Sequence, residues 1–416
     1  MNGRGMNGPA GKDKTVTIRT LARIAELPAA EWDRCAGTGN PFVSHAFLDA
    51  LEQSGCVSPR SGWQPTHLVA ETRQGDILGT MPLYIKGHSQ GEYIFDHAWA
   101  EAYARAGGQY YPKLLSAVPF SPVTGPRFLV APGQDGATIA DALLQGARQL
   151  VQRYGLSSLH VNFLTEEQSV WAEESGMLLR LGEQFHWENN GYADFEAFLA
   201  ALASRKRKAI RKERREAVAA GIEIACLSGD ALTDEHWDAF FEFYMDTGSR
   251  KWGRPYLNRD FFRRLQATMA DRVVLVMARR DGQWIAGAWN MLGDDCLYGR
   301  NWGCIEHHPF LHFECCYYQA IDYAIRHGLA RVEAGAQGEH KLARGYLPAP
   351  IHSSHWLADP GFQDAIARYL DHERDYMSGV IAALDQHSPF RHTGPDPEHG
   401  DPEAGDPEAS DLGESG

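Results

Sequence analysis

What most restricts how this chain can fold is that it repeats its own grammar. The stretch HLVAETRQGDILGTMPLYI begins at His67, and VLVMARRDGQWIAGAWNML begins at Val274. Each is a β-rich run, a turn around a glycine (Gly75, Gly282) and a second run, which is the pattern of a hairpin. Further on, LQGARQLVQRYGLSSLHVNFL from Leu144 and CYYQAIDYAIRHGLARVEAGA from Cys316 place apolar residues at helical spacing. Both then close on a glycine suited to a helix C-cap (Gly155, Gly328) and continue as a short strand. Hairpin, helix, strand, written twice, predicts an α+β protein of two tandem units with mixed, mostly antiparallel sheets flanked by helices. The length of 416 residues is what two domains need. The expected units are 15–190 and 191–388.

The two copies differ in length. Gly75 and Gly155 are 80 residues apart, whereas Gly282 and Gly328 are 46 apart. The first copy therefore carries an insertion, at about 88–125, rich in aromatics, His and Gly. A polar, aromatic insertion on a loop is more often functional than plain surface. Its His88, Glu92, Asp96 and His97 are candidate binding residues. Between the copies, Phe195, Phe198, Leu199, Leu202, Ile210, Ala217 and Val218 trace one helical face, and eight cations fall between Arg205 and Arg215. Glu213 and Glu216 can serve as i,i+3 and i,i+4 partners on a solvated face. The alternative is a phosphate-facing patch, with Arg207 and Arg211 as its contacts.

The net charge of −14 has to be located before it means anything. From Ser388 to Gly416 there are eight acids and one arginine, in a tail that repeats Asp-Pro-Glu every five residues. Such a segment cannot bury enough apolar surface to fold, so 389–416 is expected to be disordered, as are residues 1–14. No run of eighteen apolar residues predicts a membrane span, and the N-terminus has no apolar core of a secretory signal. Seven scattered cysteines form no disulfide framework. A cytoplasmic protein is expected, with no DNA partner.

The stretch EAGAQGEHKLARGYLP, residues 333–348, places four ionisable groups on a glycine-rich turn after a buried-looking strand. Glycines let the backbone approach a ligand closely. Glu339 or His340 can act as a base if the surroundings tune it, Lys341 joins them as a catalytic candidate, and Lys341 and Arg344 can pair with a phosphate or carboxylate. A structural ion-pair network is the competing reading. In LYGRNWG, Tyr298, Arg300 and Trp302 alternate and are expected to share one sheet face, where they would bind an acceptor or pack as core. EHHPFLHFE offers histidines, but adjacent ones diverge and Pro309 breaks the helical face a His pair would need, so no metal site is expected. No nucleophile elbow, P-loop or dinucleotide fingerprint occurs.

The meander RVVLVMAR, WIAGAWNM, CLYGRNWG, followed by a helix and a strand ending in VEAGAQGEHKLARGYLP, resembles the second half of a GNAT acyltransferase domain. Two such units joined by KRKAIRKERRE resemble the FemABX-type tandem-GNAT proteins. NPFVSHAFLDALEQSGC, HSQGEYIFDHAW, YYPKL, PFSPVTGPR, YGRNWG and HFECCYYQAIDYAI resemble the FemAB-like predicted N-acyltransferases, over roughly residues 15 to 387. The resemblance implies that an amine, small-molecule or peptide, attacks an acyl carbon activated as a thioester or tRNA ester. Acyl-CoA or aminoacyl-tRNA would be a co-substrate, and no bound cofactor is implied. Where ordinary GNAT proteins carry a glycine-rich pyrophosphate loop, this chain reads WGCIEHHPFLHFECCYY, with Gly303 alone. The same loss occurs in FemABX-type enzymes, which use aminoacyl-tRNA and act on cell-wall precursors or peptides. A non-catalytic GNAT-like protein holding RNA or an anion is the alternative outside enzymes.

Overall fold

The computed structural model describes residues 16–251, 255–335 and 338–391. The expectations for the two ends fall outside these, except that residues 389–391 are placed, with Phe390 bridged to Leu202. In chain order the strands are β1 (Val16–Leu21), β2 (Trp63–Pro65), β3 (His67–Thr72), β4 (Ile77–Met81), β5 (Tyr84–Lys86), β6 (Lys113–Ser116), β7 (Leu129–Val130), β8 (Ser158–Leu164) and β9 (Leu178–Glu188). The second half contributes β10 (Glu223–Leu227), β11 (Val273–Arg280), β12 (Gln283–Leu292), β13 (Cys296–Cys304), β14 (Arg331–Glu333) and β15 (Leu347–Leu357).

Both hairpins form where the sequence places them, β3 with β4 and β11 with β12. Both helices form too. Gly136–Tyr154 buries Ile139, Leu143, Ala147, Leu150 and Val151 on one face and stops at Gly155, whose φ of 62° is the left-handed cap that glycine adopts freely. Each helix carries the chain between parallel neighbours, β6 to β8 and β13 to β14. The predicted basic helix breaks in two, Phe195–Ala201 and Ser204–Ala217, with Leu202 extended between them. The insertion is not all loop: it includes the helix His97–Arg105 and the sheet strand β6. Lys113 disguises that strand in sequence, because its charge is buried by pairing rather than by exposure.

Eleven strands make one sheet, in the order β10-β11-β12-β13-β14-β9-β15-β8-β6-β5-β2, and β1-β3-β4-β7 make a second. The halves exchange their last strands. β9 pairs with β14 of the second half, and β15 pairs with β8 of the first. The two exchanged strands then pair with each other, from Leu347↔His186 to His355↔Leu178. Each carries a tryptophan into the other half's core. Trp187 packs on Phe198 at 5.8 Å, and Trp356 packs against the Leu143, Leu159 and Val161 cluster. A further core spans both halves through Phe42 on Tyr298 (5.4 Å) and Phe47 on Phe261 (5.7 Å). No helix among the described residues is long and apolar enough to cross a membrane.

Because neither half keeps its own last strand, unfolding is expected to be a single cooperative event. Trp187→Ala should lower stability by about 3–5 kcal/mol. Calorimetry should record one transition shifted as a unit, whereas two separated transitions would mean that the halves fold alone.

Candidate active site

β14 is three residues long, while its neighbours β13 and β9 have nine and eleven. It pairs with β13 only from Cys296↔Arg331 to Tyr298↔Glu333, and with β9 only from Arg331↔Glu188 to Glu333↔His186. Beyond Glu333 the chain leaves at Gly335 (φ 80°), so β13 and β9 flank an empty slot. Two strand spacings make that slot about 10 Å wide. It is the floor of a cleft of ≈ 750 Å³, within the range of small-molecule sites. Gly299, Arg300, Asn301 and Trp302 line it from β13, and Arg180 to Glu183 from β9. Tyr317, Lys341 and the insertion close other sides.

A β-bulge alters the expected β13 face. Trp289 pairs with Asn301 but Asn290 with Gly299, so Arg300 is the extra residue. One added residue reverses the alternation, so Tyr298 and Trp302 do not share a face, contrary to the strict period of two. Tyr298 is buried against Phe42 and does not line the cleft, whereas Trp302 lines it and lies 5.4 Å from His312. Arg300 also lines it, its Nη2 donating to the Phe120 carbonyl at 3.1 Å. Burial lowers its pKa from the ordinary guanidinium value. Among the described residues no carboxylate lies within ion-pair distance of it.

The glycine-rich loop winds into a 3-10 turn, Glu339–Arg344. Lys341 is buried, lines the cleft, and donates to the Gly335 carbonyl at 3.0 Å. Desolvation pushes its amine down to about 8, and no carboxylate pairs with it among the described residues. His340 is exposed, with Nε2 3.0 Å from the hydroxyl of cleft-lining Tyr317. Partial desolvation, with Arg344 and Lys341 nearby, pushes its imidazole down to about 4 and keeps it neutral at pH 7. The Glu339 side chain lies outside the described residues.

Arg344 has another occupation. Its Nη2 donates to both Glu213 oxygens at 3.0 and 2.9 Å, and its Nη1 to the His340 carbonyl at 2.7 Å. The guanidinium also stacks 3.4 Å from the Phe313 ring centroid. It ties the loop to the basic helix and does not line the cleft. On that helix Arg211 pairs with Glu196, Arg214 with Glu314, and Arg207 is half-buried. Neither Arg207 nor Arg211 reaches the cleft.

Of the insertion candidates only His97 lines the cleft. His88 Nδ1 accepts from the Gln90 amide, and its ring fills the space over Gly62. Glu92 and Asp96 are buried on Lys113, away from the cleft. The sequence reading missed Tyr317, which sits in a π-helical turn, Glu314–Tyr318, that no spacing announces. It also missed Glu333, whose carboxyl burial pushes up to about 7 at the last paired residue of β14. Among the described residues no three His, Cys, Asp or Glu side chains gather as a metal ion requires.

The architecture has solved counterparts. The C-terminal domain of a putative lysylphosphatidylglycerol synthetase from Agrobacterium fabrum is 9% identical, with 85% of this chain and 97% of that one covered and a TM-score of 0.51. FemX is 12% identical over 82% and 98%, with a TM-score of 0.50. A tandem GNAT protein from the clavulanic acid pathway is 13% identical over 83% and 99%, with a TM-score of 0.43. No curated protein matches the sequence. Identities this low speak to fold alone. Residues 23–392 match the FemAB-like family, described as peptidoglycan biosynthesis/recognition, and the chain belongs to that family.

Proposed function

We propose that the protein transfers an acyl group from an activated donor to an amine within this cleft. The observation that carries this reading is the pair of cations lining the cleft, Arg300 and Lys341, neither matched by a carboxylate among the described residues. Buried charge is ordinarily paired, so an unmatched pair facing an open cleft suits negative charge brought or developed there. The amine nitrogen attacks the acyl carbon, and the C–N bond forms as the carbonyl electrons move onto oxygen. The Arg300 guanidinium stabilises that oxyanion. Neutral Lys341 takes the proton from the attacking nitrogen. Collapse breaks the C–S or C–O bond, and the leaving sulfur or oxygen recovers the proton, giving an amide and a free thiol or hydroxyl.

The donor is an acyl-CoA or a similar thioester on this reading. A second reading, an aminoacyl-tRNA donor, is favoured by one observation. Arg205, Lys208 and Arg215 on the basic helix are exposed, Arg207 lies beside them, and none has a carboxylate partner among the described residues.

Lys341 must be neutral to act, so the rate should rise with pH and level off above about 8. Lys341→Met should cost about 100-fold or more in kcat and erase that rise. Arg300→Met should cost about 100–1000-fold without moving the profile. An unchanged pH profile in Lys341→Met would remove Lys341 from the chemistry. Parallel assays of Glu339→Gln and His340→Ala test the other two candidates in the loop. The tRNA reading predicts that affinity for charged tRNA falls roughly 50–150-fold between 50 and 200 mM salt if four cations meet phosphates. Weak salt dependence, with amide product from an acyl-CoA, would decide for the thioester.

A further inference from the structure

The two ends of the cleft differ in character. At the β13 end, Arg300 donates to the Phe120 carbonyl, and the Phe120 ring stacks on that of Tyr256 at 4.8 Å. Tyr93 stands beside Arg300, whose charge acts on its hydroxyl. At the other end β9 meets β15, with Arg180 opposite Ser353 and Gly182 opposite Ile351. The Ser353 hydroxyl accepts from the Phe163 amide at 3.2 Å. Arg180 donates to the Phe95 carbonyl at 2.9 Å and, through two bonds of 2.8 Å, to Glu373 of the C-terminal helix Pro360–Asp385. Met377 follows one turn along that helix. Phe95, Leu181, Ile351, Phe163 and Met377 therefore gather at this end, and all line the cleft. Phe95 is 65% exposed there, while Glu92 and Asp96 on either side of it are buried on Lys113. The segment thus turns its charges inward and presents a phenyl ring to the cleft.

Charge separates the ends further. Among the described residues, the carboxylates lining the cleft are Glu183 and Glu373. Both are engaged: Glu373 holds Arg180, and Glu183 has an interaction of its own. Arg300 and Lys341 also face the cleft, and neither has a carboxylate partner among the described residues. An ammonium brought here finds no free acid, whereas a carbonyl or carboxylate oxygen finds a cation. A ligand with such an oxygen and a hydrocarbon chain has one favoured way to lie. Its oxygen points to Arg300 and Lys341, and its chain to the β9–β15 end about 10 Å away. The cleft of ≈ 750 Å³ has far more room than an acetyl group fills. A chain laid against Phe95, Leu181 and Ile351 gains with every methylene withdrawn from water.

We propose that the β9–β15 end of the cleft is the subsite for the donor's acyl group, and that this group is an extended or bulky hydrocarbon rather than acetyl. Phe95, Leu181, Ile351 and Met377 enclose the chain, while Arg300 faces the carbonyl oxygen. This rests on the acyl-transfer reading, and it is tested by binding without turnover so that the two fail separately. Calorimetric titration of the full chain at neutral pH would use octanoate, acetate and octylamine. Octanoate should bind at least about tenfold more tightly than either of the others. Phe95→Ser should remove about tenfold of its affinity with the melting temperature unchanged. Gly182→Leu fills the same end, since an added Cβ there meets nothing nearer than Ile351 at 3.9 Å, and should bring octanoate down to the affinity of acetate. Arg300→Met should abolish the preference for octanoate over octylamine. Tighter binding of octylamine would give this end to the acceptor and overturn the assignment. Equal binding of octanoate and acetate, or indifference to both Phe95→Ser and Gly182→Leu, would overturn it as well. Selective octanoate binding without amide product from octanoyl-CoA, across a panel of amines, would keep the hydrocarbon subsite and overturn the acyl-transfer reading alone.

Discussion

The pairing of β9 with β15 is the interaction on which the rest of the molecule depends. It runs over nine residue pairs and places the last strand of each half inside the other half's sheet. If β9 stayed with its own half, β14 would be an edge of three residues, and nothing would face β13 across the gap. The cleft is thus a product of exchange rather than of either half alone. Beyond Glu333, and after one bond from Ala334 to the Phe185 carbonyl, no strand among the described residues continues the ladder between β13 and β9. In a core this would be costly, and beside an open cleft any backbone groups left unpaired there are available to a ligand.

Cations in this protein fall into two kinds, and the difference separates scaffold from site. Lys113, Arg344 and Arg214 are buried or half-buried, and each is matched: to Glu92 and Asp96, to Glu213, and to Glu314. Removing one partner of such a pair strands a charge, at a cost of about 3–5 kcal/mol, so these pairs lock elements in place. Glu213 shows how specific the locking is. A residue expected to pair within its own helix instead holds Arg344, 131 residues away, and so fixes the loop that carries Lys341. Arg300 and Lys341 donate to carbonyl oxygens, neither has an ion-pair partner among the described residues, and both line the cleft. Desolvation without an opposing charge also draws the Lys341 amine toward neutrality.

Much of this architecture was legible in the sequence because its signals are local. Hairpins around Gly75 and Gly282, and helices closed by Gly155 and Gly328, rest on turn chemistry and on periodicities of two and 3.6. The loop carrying Lys341 was legible for the same reason. What escaped depends on partners far along the chain. Strand exchange leaves no mark on either strand's own pattern. The Arg300 bulge exists only relative to β12, so period-two reasoning put Tyr298 and Trp302 together when one added residue sets them apart. Glu92 and Asp96 read as pocket residues because polar side chains on an insertion are usually solvated, whereas Lys113, buried in β6, turns them inward together with Tyr110 and Ser89.

The departure from the ordinary pyrophosphate loop has a physical form here. The helix that follows β13 begins at Leu311 after Phe310, which is held at φ 60°, and within one turn it becomes π-helical at Glu314. A helix N-terminus attracts anions through free amides and the local dipole. At this one the first turn carries a buried glutamate whose own amide already donates to the Phe310 carbonyl. Glu314 is in turn neutralised by Arg214 from the basic helix. Its carboxylate also accepts from Gln319 Nε2 at 2.7 Å, and the arginine that pairs with it comes from the strip that also exposes Arg205, Lys208 and Arg215. On the aminoacyl-tRNA reading, a donor's phosphates would be met by that strip, outside the cleft, while its acyl carbon reaches the slot between β13 and β9. A donor of that shape has to span from the basic helix, past the Lys341 loop that the same helix anchors through Glu213, to Arg300. The one helix would therefore serve both to fix the catalytic loop and to receive the donor.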